Sequence, residues 1–117
     1  MALAPRPELN GPALASLLDF DDAGFRAAFP GSPIKRIGRD RFLRNVLVAI
    51  GNSGDAGFVP RVQALLQDEA PLVRGAAVWA LSRLLDGDAL RRLASGRTAD
   101  PDVEVQAEWR VALAGAG

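Results

Sequence analysis

The sequence predicts an all-α protein built from about three stacked helix pairs, and three observations predict it. Apolar residues recur at three- and four-residue steps, as in Phe42, Leu43, Val46, Leu47, Ala49 and Ile50. A longer pattern repeats: Asp68-x-x-Pro71-Leu-Val73-x-x-x-Ala77-x-x-Ala80-Leu81 returns 32 residues on as Asp100-Pro101-Asp102-x-x-Val105-x-x-x-Trp109-x-x-Ala112-Leu113. Val46 to Ile50 likewise matches Ala77 to Leu81 at an offset of 31. No run of β-branched residues with alternating polarity is bounded by turn residues, so no strand reading competes.

A period of this length implies helix-turn-helix units that bury their apolar faces only by stacking on their neighbours. Small alanines at inward positions let the helices approach closely. That pattern is a HEAT-like helical repeat, an α-α superhelix or solenoid. At 117 residues, 49% of them hydrophobic and 24% charged, the chain fits a single packed core rather than a disordered polymer. The domain is expected to run from Ala13 to Gly117, with residues 1–12, which hold three prolines, as a linker.

The elements follow in order. A short helix fits Ala13 to Leu18, and Asp21 can cap a second over Asp22 to Phe29, which Pro30-Gly31 stops. Gly31 to Arg39 reads as an ordered loop because Pro33 and two glycines resist regular helix, with Ile34 and Ile37 pinning it and Lys35, Arg36 and Arg39 turned outward. A helix from about Asp40 to Ile50 follows, with Gly51 as its stop and Asn52-Ser53-Gly54-Asp55 as the turn. Further helices are expected over Phe58 to Leu66, Pro71 to Leu85, Asp88 to Ala94 and Pro101 to about Ala114.

Composition excludes several chemistries. The chain has no cysteine and no histidine, so it has no thiolates for an iron–sulfur cluster, no ordinary zinc site and no Cys/His or Ser/His mechanism. Apolar stretches such as Leu43 to Ile50 are far shorter than the roughly 20 residues that span a bilayer, and a soluble, cytoplasmic protein is expected. Formal net charge is zero, with fourteen basic and fourteen acidic residues, yet the charges are segregated. Between Arg26 and Arg44 six basic residues face Asp40 alone, whereas between Asp86 and Glu108 six acids face three arginines. All the basic residues but Lys35 are arginine, the cation suited to bidentate phosphate contacts.

The strongest candidate site is therefore Lys35-Arg36-x-x-Arg39-x-Arg41-x-x-Arg44 with Asn45. Like charges this close repel unless solvated or neutralised by an anion, and phosphates suit both the guanidinium groups and a helix start near Asp40. A solvated surface paired with Asp19, Asp21 and Asp22 is the alternative. Arg41, Arg44, Asn45, Val48 and Asn52 recur at helical spacing and line one stripe, to which repeat offsets add Trp79. Trp79 can pack at a repeat interface or stack on a base; Trp109 belongs to the core. Arg74 is expected to clamp the inter-repeat turn through a carboxylate such as Asp68, and Asp100, Asp102, Glu104 and Glu108 to serve as caps and a solvated face rather than a metal site. Arg44/Asn45, Gly75/Ala76 and Ala107/Glu108 are equivalent positions, so one face should grade from basic through neutral to acidic.

The strings Gly31-Ser-Pro-Ile-Lys-Arg-Ile-Gly-Arg39 and Arg44-Asn-Val-Leu-Val-Ala-Ile-Gly-Asn-Ser53, followed by Pro71-Leu-Val-Arg-Gly-Ala-Ala-Val-Trp-Ala-Leu81, closely resemble the C-terminal HEAT-like region of epoxyqueuosine reductase. The likeness runs from about Leu9 to Leu85. That family is a cobalamin-dependent enzyme with two 4Fe–4S clusters that reduces epoxyqueuosine to queuosine at the tRNA wobble position. The resemblance implies a tRNA anticodon-arm binding domain, non-catalytic by itself, that takes part in tRNA queuosine modification. Its implied partners are the tRNA anticodon stem-loop and the upstream catalytic module of the parent enzyme. This sequence lacks the family's upstream part, with its cluster cysteines and catalytic acid, so an excised domain or a truncated gene product is expected, with no cofactor of its own. The rival reading is a HEAT-like protein-protein interaction scaffold.

Overall fold

The computed structural model describes residues 12–28 and 33–116; for 12, 13, 22, 26, 28 and 33–37 it describes the backbone alone. Among the described residues there are seven α-helices and no strand. They are α1 (Pro12–Ser16), α2 (Asp22–Ala28), α3 (Pro33–Ser53), α4 (Val59–Ala64), α5 (Pro71–Leu84), α6 (Gly87–Ala94) and α7 (Val103–Gly115). Short 3-10 turns at Leu17–Asp19, Ala56–Phe58 and Leu65–Gln67 complete them. The expected all-α helical repeat is what forms. Of the linker expected over residues 1–12 only Pro12 is described, as the first residue of α1; the Pro30-Gly31 stop and the pinning by Ile34 and Ile37 lie outside the described residues and side chains.

The long helix α5 is the centre, with α3 packed on one side and α7 on the other, while α4 and α6 pack behind. Equivalent positions of the repeat do equivalent work. Val73 and Val105 are both buried, as are Ala77 and Trp109, and Ala80 and Ala112. At the shorter offset, Leu47 and Val78, and Ile50 and Leu81, are all fully buried. Because each helix hides its apolar stripe only against the next, the core is one continuous cluster from Ala15 to Ala112.

Aspartates start α2, α6 and α7. Asp21 accepts from Gly24 N at 2.6 Å, Asp86 from Ala89 N at 2.7 Å, and Asp102 from Glu104 N at 2.8 Å, each satisfying an amide that the helix itself leaves unpaired. At the N-terminal end Phe20, Phe25 and Phe42 form a ring cluster with centroids 5.3 to 6.3 Å apart, which holds α2 against α3.

Three local expectations are corrected. Gly31 to Arg39 is not a loop throughout: residues 33–37 are helical, joined to the rest of α3 across a break at Gly38, with φ 81° and ψ 163°. Proline at a first helical position loses no hydrogen bond, so Pro33 opens this turn instead of preventing it, and Gly38 supplies a backbone conformation that essentially only glycine adopts. Gly51 is not the stop of α3, which continues to Ser53 and ends at Gly54, with φ 68°. Gly51 is buried within the helix, where a Cβ would lie 2.5 Å from the Trp79 ring and 3.2 Å from Ala80 Cα. Ala49, counted with the apolar face, is exposed; the inward stripe of α3 is Leu43, Val46, Leu47 and Ile50.

The turns between repeats are tied by two arginine–aspartate clamps. Arg39 reaches Asp68 through two guanidinium nitrogens at 2.6 and 3.0 Å, and its Nε donates to Phe20 O at 2.8 Å. Arg74 grips Asp100 through Nε at 2.8 Å and a second nitrogen at 3.1 Å, while its third donates to the carbonyls of Asp68 and Glu69. The expected role of Arg74 as a clamp thus stands, but its carboxylate partner is Asp100, because Asp68 is already taken by Arg39. Each aspartate also accepts one amide of its own turn, from Ala70 and Asp102 respectively. Burial works against ionising Asp68, but the hydrogen bonds from Arg39 and from Ala70 N, with the nearby guanidinium charges, outweigh it and hold the carboxyl below its ordinary range. Asp100 is held low chiefly by its hydrogen bond from Arg74.

Two predictions follow from this packing. Gly51→Ala should cost about 1–3 kcal/mol in chemical denaturation, since the added methyl forces α3 and the Trp79 ring apart. Asp68→Asn should cost about 2 kcal/mol at neutral pH, the magnitude of a lost charged hydrogen bond. A carboxylate held low in the folded state stabilises above its unfolded pKa and ceases to as pH falls through the folded one, so the gap between Asp68→Asn and the wild type should shrink below about pH 4 in acid titration of stability.

Candidate nucleic-acid interface

The clamps decide which of the expected cations remain available. Arg39 was expected to turn outward; its side chain is only 15% exposed and is neutralised by Asp68, with Asp40 at 3.1 Å. Its pKa is raised, first by the hydrogen bond to Asp68. It is a part of the frame and has no free donor edge for a phosphate. Lys35 and Arg36 lie on the short helical turn before Gly38, but their side chains are outside the description.

Arg41 and Arg44 are both exposed and meet no carboxylate among the described residues. Arg44 donates to the side-chain oxygen of its neighbour Asn45 at 3.2 Å, which leaves most of the guanidinium free. Of the acids suspected of neutralising this stretch, Asp19 pairs with Arg61 and Asp21 caps α2, while the Asp22 side chain lies outside the description. One turn of α3 therefore presents Arg41, Arg44 and Asn45 together on its outer side, fixed by the burial of Leu43, Val46 and Leu47 on the other.

From this edge a groove of about 880 Å³ crosses the three long helices. Arg44 and Val48 of α3 form one wall, and Glu104, Glu108 and Arg110 of α7 the other, with Gly75, Ala76 and Trp79 of α5 between them. The expected gradation from basic through neutral to acidic is thus present on one continuous surface. Trp79 both packs at a repeat interface and faces the groove: its ring lies against Gly51 while the side chain lines this groove and the smaller cavity beside it. Trp109 is 2% exposed and belongs to the core.

The acidic cluster separates into different jobs. Asp100 closes a clamp, Asp102 caps α7 at the edge of the groove, and Glu104 and Glu108 line the groove with it. Arg110 was missed by sequence reasoning because its repeat equivalent, Val78, is fully buried. On α7 that position is exposed, with no helix among the described residues packed over it. No group of three or more acidic side chains among the described residues gathers to hold a metal ion. A chain without cysteine or histidine offers neither thiolate nor imidazole as a metal ligand. No helix among the described residues is long and apolar enough to cross a membrane.

Comparison with known proteins agrees with the repeat reading. A family model described as HEAT repeats matches residues 38–114. Epoxyqueuosine reductase of Alicycliphilus denitrificans is 41% identical over 86 residues, which is 67% of this chain and 24% of that protein. The enzyme of the same name from Xanthomonas campestris pv. campestris is 35% identical over 79 residues, 67% of this chain and 22% of that one. The chain therefore spans about a quarter of the length of these curated relatives. A crystal structure of epoxyqueuosine reductase with an epoxyqueuosine-modified tRNA-Tyr stem loop superposes with a TM-score of 0.80 and 25% identity, covering 96% of this chain and 30% of that one. The recurring backbone, its buried equivalents and the match over residues 38–114 lead to one statement: the chain belongs to the HEAT-repeat family and is similar to a stretch of epoxyqueuosine reductase.

Proposed function

We propose that this chain is a tRNA anticodon-arm binding domain of the kind found in epoxyqueuosine reductase, acting in tRNA queuosine modification and non-catalytic by itself. The observation that carries this reading is the unneutralised cationic turn of Arg41 and Arg44 on a backbone that matches a reductase crystallised with a tRNA stem loop. Guanidinium groups with no carboxylate among the described residues are available to phosphate oxygens, and each phosphate they neutralise releases counterions. Lys35, Arg36, Arg41 and Arg44 would grip the backbone with Asn45 beside them, and Trp79 would offer a stacking face. Arg39 now enters as the residue that holds this edge in place. Phosphate contacts fix orientation, so the domain would present the wobble base to a catalytic module that supplies cobalamin and the 4Fe–4S clusters. Such a protein would work in the cytoplasm, where tRNA is modified.

A second reading, a HEAT-like protein-interaction scaffold, is favoured by exposed apolar side chains on α5 and α7. Leu72 is 44% exposed, Val103 71% and Val111 70%. The two readings differ in their response to salt. Affinity for a tRNA anticodon stem-loop should fall with a log-log slope of roughly −3 for four neutralised phosphates, whereas an apolar protein interface should change little.

The corresponding substitution is Arg41→Glu with Arg44→Glu. Both side chains are exposed and free of internal ion pairs, so thermal stability should stay within about 0.5 kcal/mol of the wild type. Stem-loop affinity should drop more than tenfold and the salt slope should become shallower by about 2. Unchanged affinity in the folded double variant would rule out this edge as the RNA contact.

A further inference from the structure

The acidic wall of the groove has no structural task yet assigned, and its position beside an indole is informative. Glu108 is half-buried, and its carboxylate makes no hydrogen bond or ion pair among the described residues. It lines the groove together with Trp79 and Arg44, and again lines the neighbouring cavity with Trp79. Its stem lies over α5 beside Gly75, where a Cβ would stand 3.4 Å from Glu108 Cγ. Three unlike groups thus converge on one space: an aromatic surface, a carboxylate with both oxygens free, and a guanidinium on the opposite wall.

We propose that the groove is a nucleobase site in which an unpaired guanine stacks on Trp79 and donates its N1–H and N2–H to the Glu108 carboxylate, with an adjoining phosphate at Arg44. This rests on the RNA reading above and deepens it by naming the base. The chemistry selects guanine because the carboxylate is an acceptor only, and guanine is the base that offers two adjacent donors on its Watson–Crick edge. Adenine and cytosine present one exocyclic donor beside a ring acceptor, which faces the second carboxylate oxygen unfavourably. The gradient across the groove also orients the nucleotide between the two walls. A phosphate is attracted to the α3 wall and repelled by Glu104 and Glu108, while a base edge rich in donors is attracted to the α7 wall. Gly51, against which the Trp79 ring rests, lies two helical turns beyond Arg44, roughly 10 Å along α3, a span that one or two nucleotides can bridge.

The test uses the full 117-residue chain and uridine pentaribonucleotides with guanosine, inosine or adenosine at the centre, compared by fluorescence anisotropy at two salt concentrations. Inosine keeps N1–H and lacks the N2 amine. The wild type should prefer the guanosine oligomer about tenfold over adenosine, with inosine between them. Glu108→Gln should level the three affinities while leaving the salt slope set by Arg41 and Arg44, and Trp79→Phe should weaken all three together while keeping their order. Equal affinities in the wild type, with the salt slope intact, would overturn the base site and leave the RNA reading standing. No measurable binding of either the oligomers or a tRNA stem-loop would remove both. A folded Glu108→Gln variant that loses affinity for a lysine-rich peptide yet keeps the guanosine preference would reassign Glu108 to a protein contact and also overturn the proposal.

Discussion

The bidentate grip of an arginine on an aspartate in the turn of the next repeat is the contact on which the rest of this molecule depends. It occurs twice, as Arg39 with Asp68 and Arg74 with Asp100, with all four side chains 15% exposed or less. Two parallel hydrogen bonds fix direction as well as distance, so each pair sets the register of one repeat against the next. The same aspartates hold their own turn amides, which makes each turn a rigid corner. Helices of modest length joined by such corners can present an open surface without closing over it.

The clamps also partition the charge. A basic stretch in the chain becomes two populations in space: Arg39, consumed by the frame, and Arg41 and Arg44, two and five residues further on, left outward. The separation follows from helical geometry, since positions two apart point to different sides. The acidic residues near the C-terminal end divide in the same manner, with Asp100 holding an arginine and Asp102 a helix start, while Glu104 and Glu108 line the groove without such a task. Net charge of zero is therefore compatible with a strongly polarised surface.

Close approach of the long helices is the second constraint. Gly51 under the Trp79 ring lets α3 approach α5 closely, and the groove touches α3, α5 and α7. A bulkier residue at Gly51 would press both on the aromatic ring and on the backbone at Ala80. The groove's shape and the core's packing are consequently one problem, and Trp79 takes part in both.

The sequence by itself determined the helical class, the order of the elements, the repeat and most of the inward stripe, because these depend on periodicity and on turn residues, which are local along the chain. It also placed Trp109 in the core and located the charge gradient, since equivalent positions in a repeat share a face. Tertiary structure alone decided that Arg39 is neutralised by a residue 29 positions away, that Arg74 is partnered by Asp100, and that Gly51 serves close packing while Gly54 ends the helix. Nor did local spacing reveal that Pro33 begins a helical turn broken at Gly38, or that Arg110 stands where its equivalent is buried. Each of these turns on which surfaces meet across the stack, and a pairing between distant segments leaves no trace in the spacing of either one.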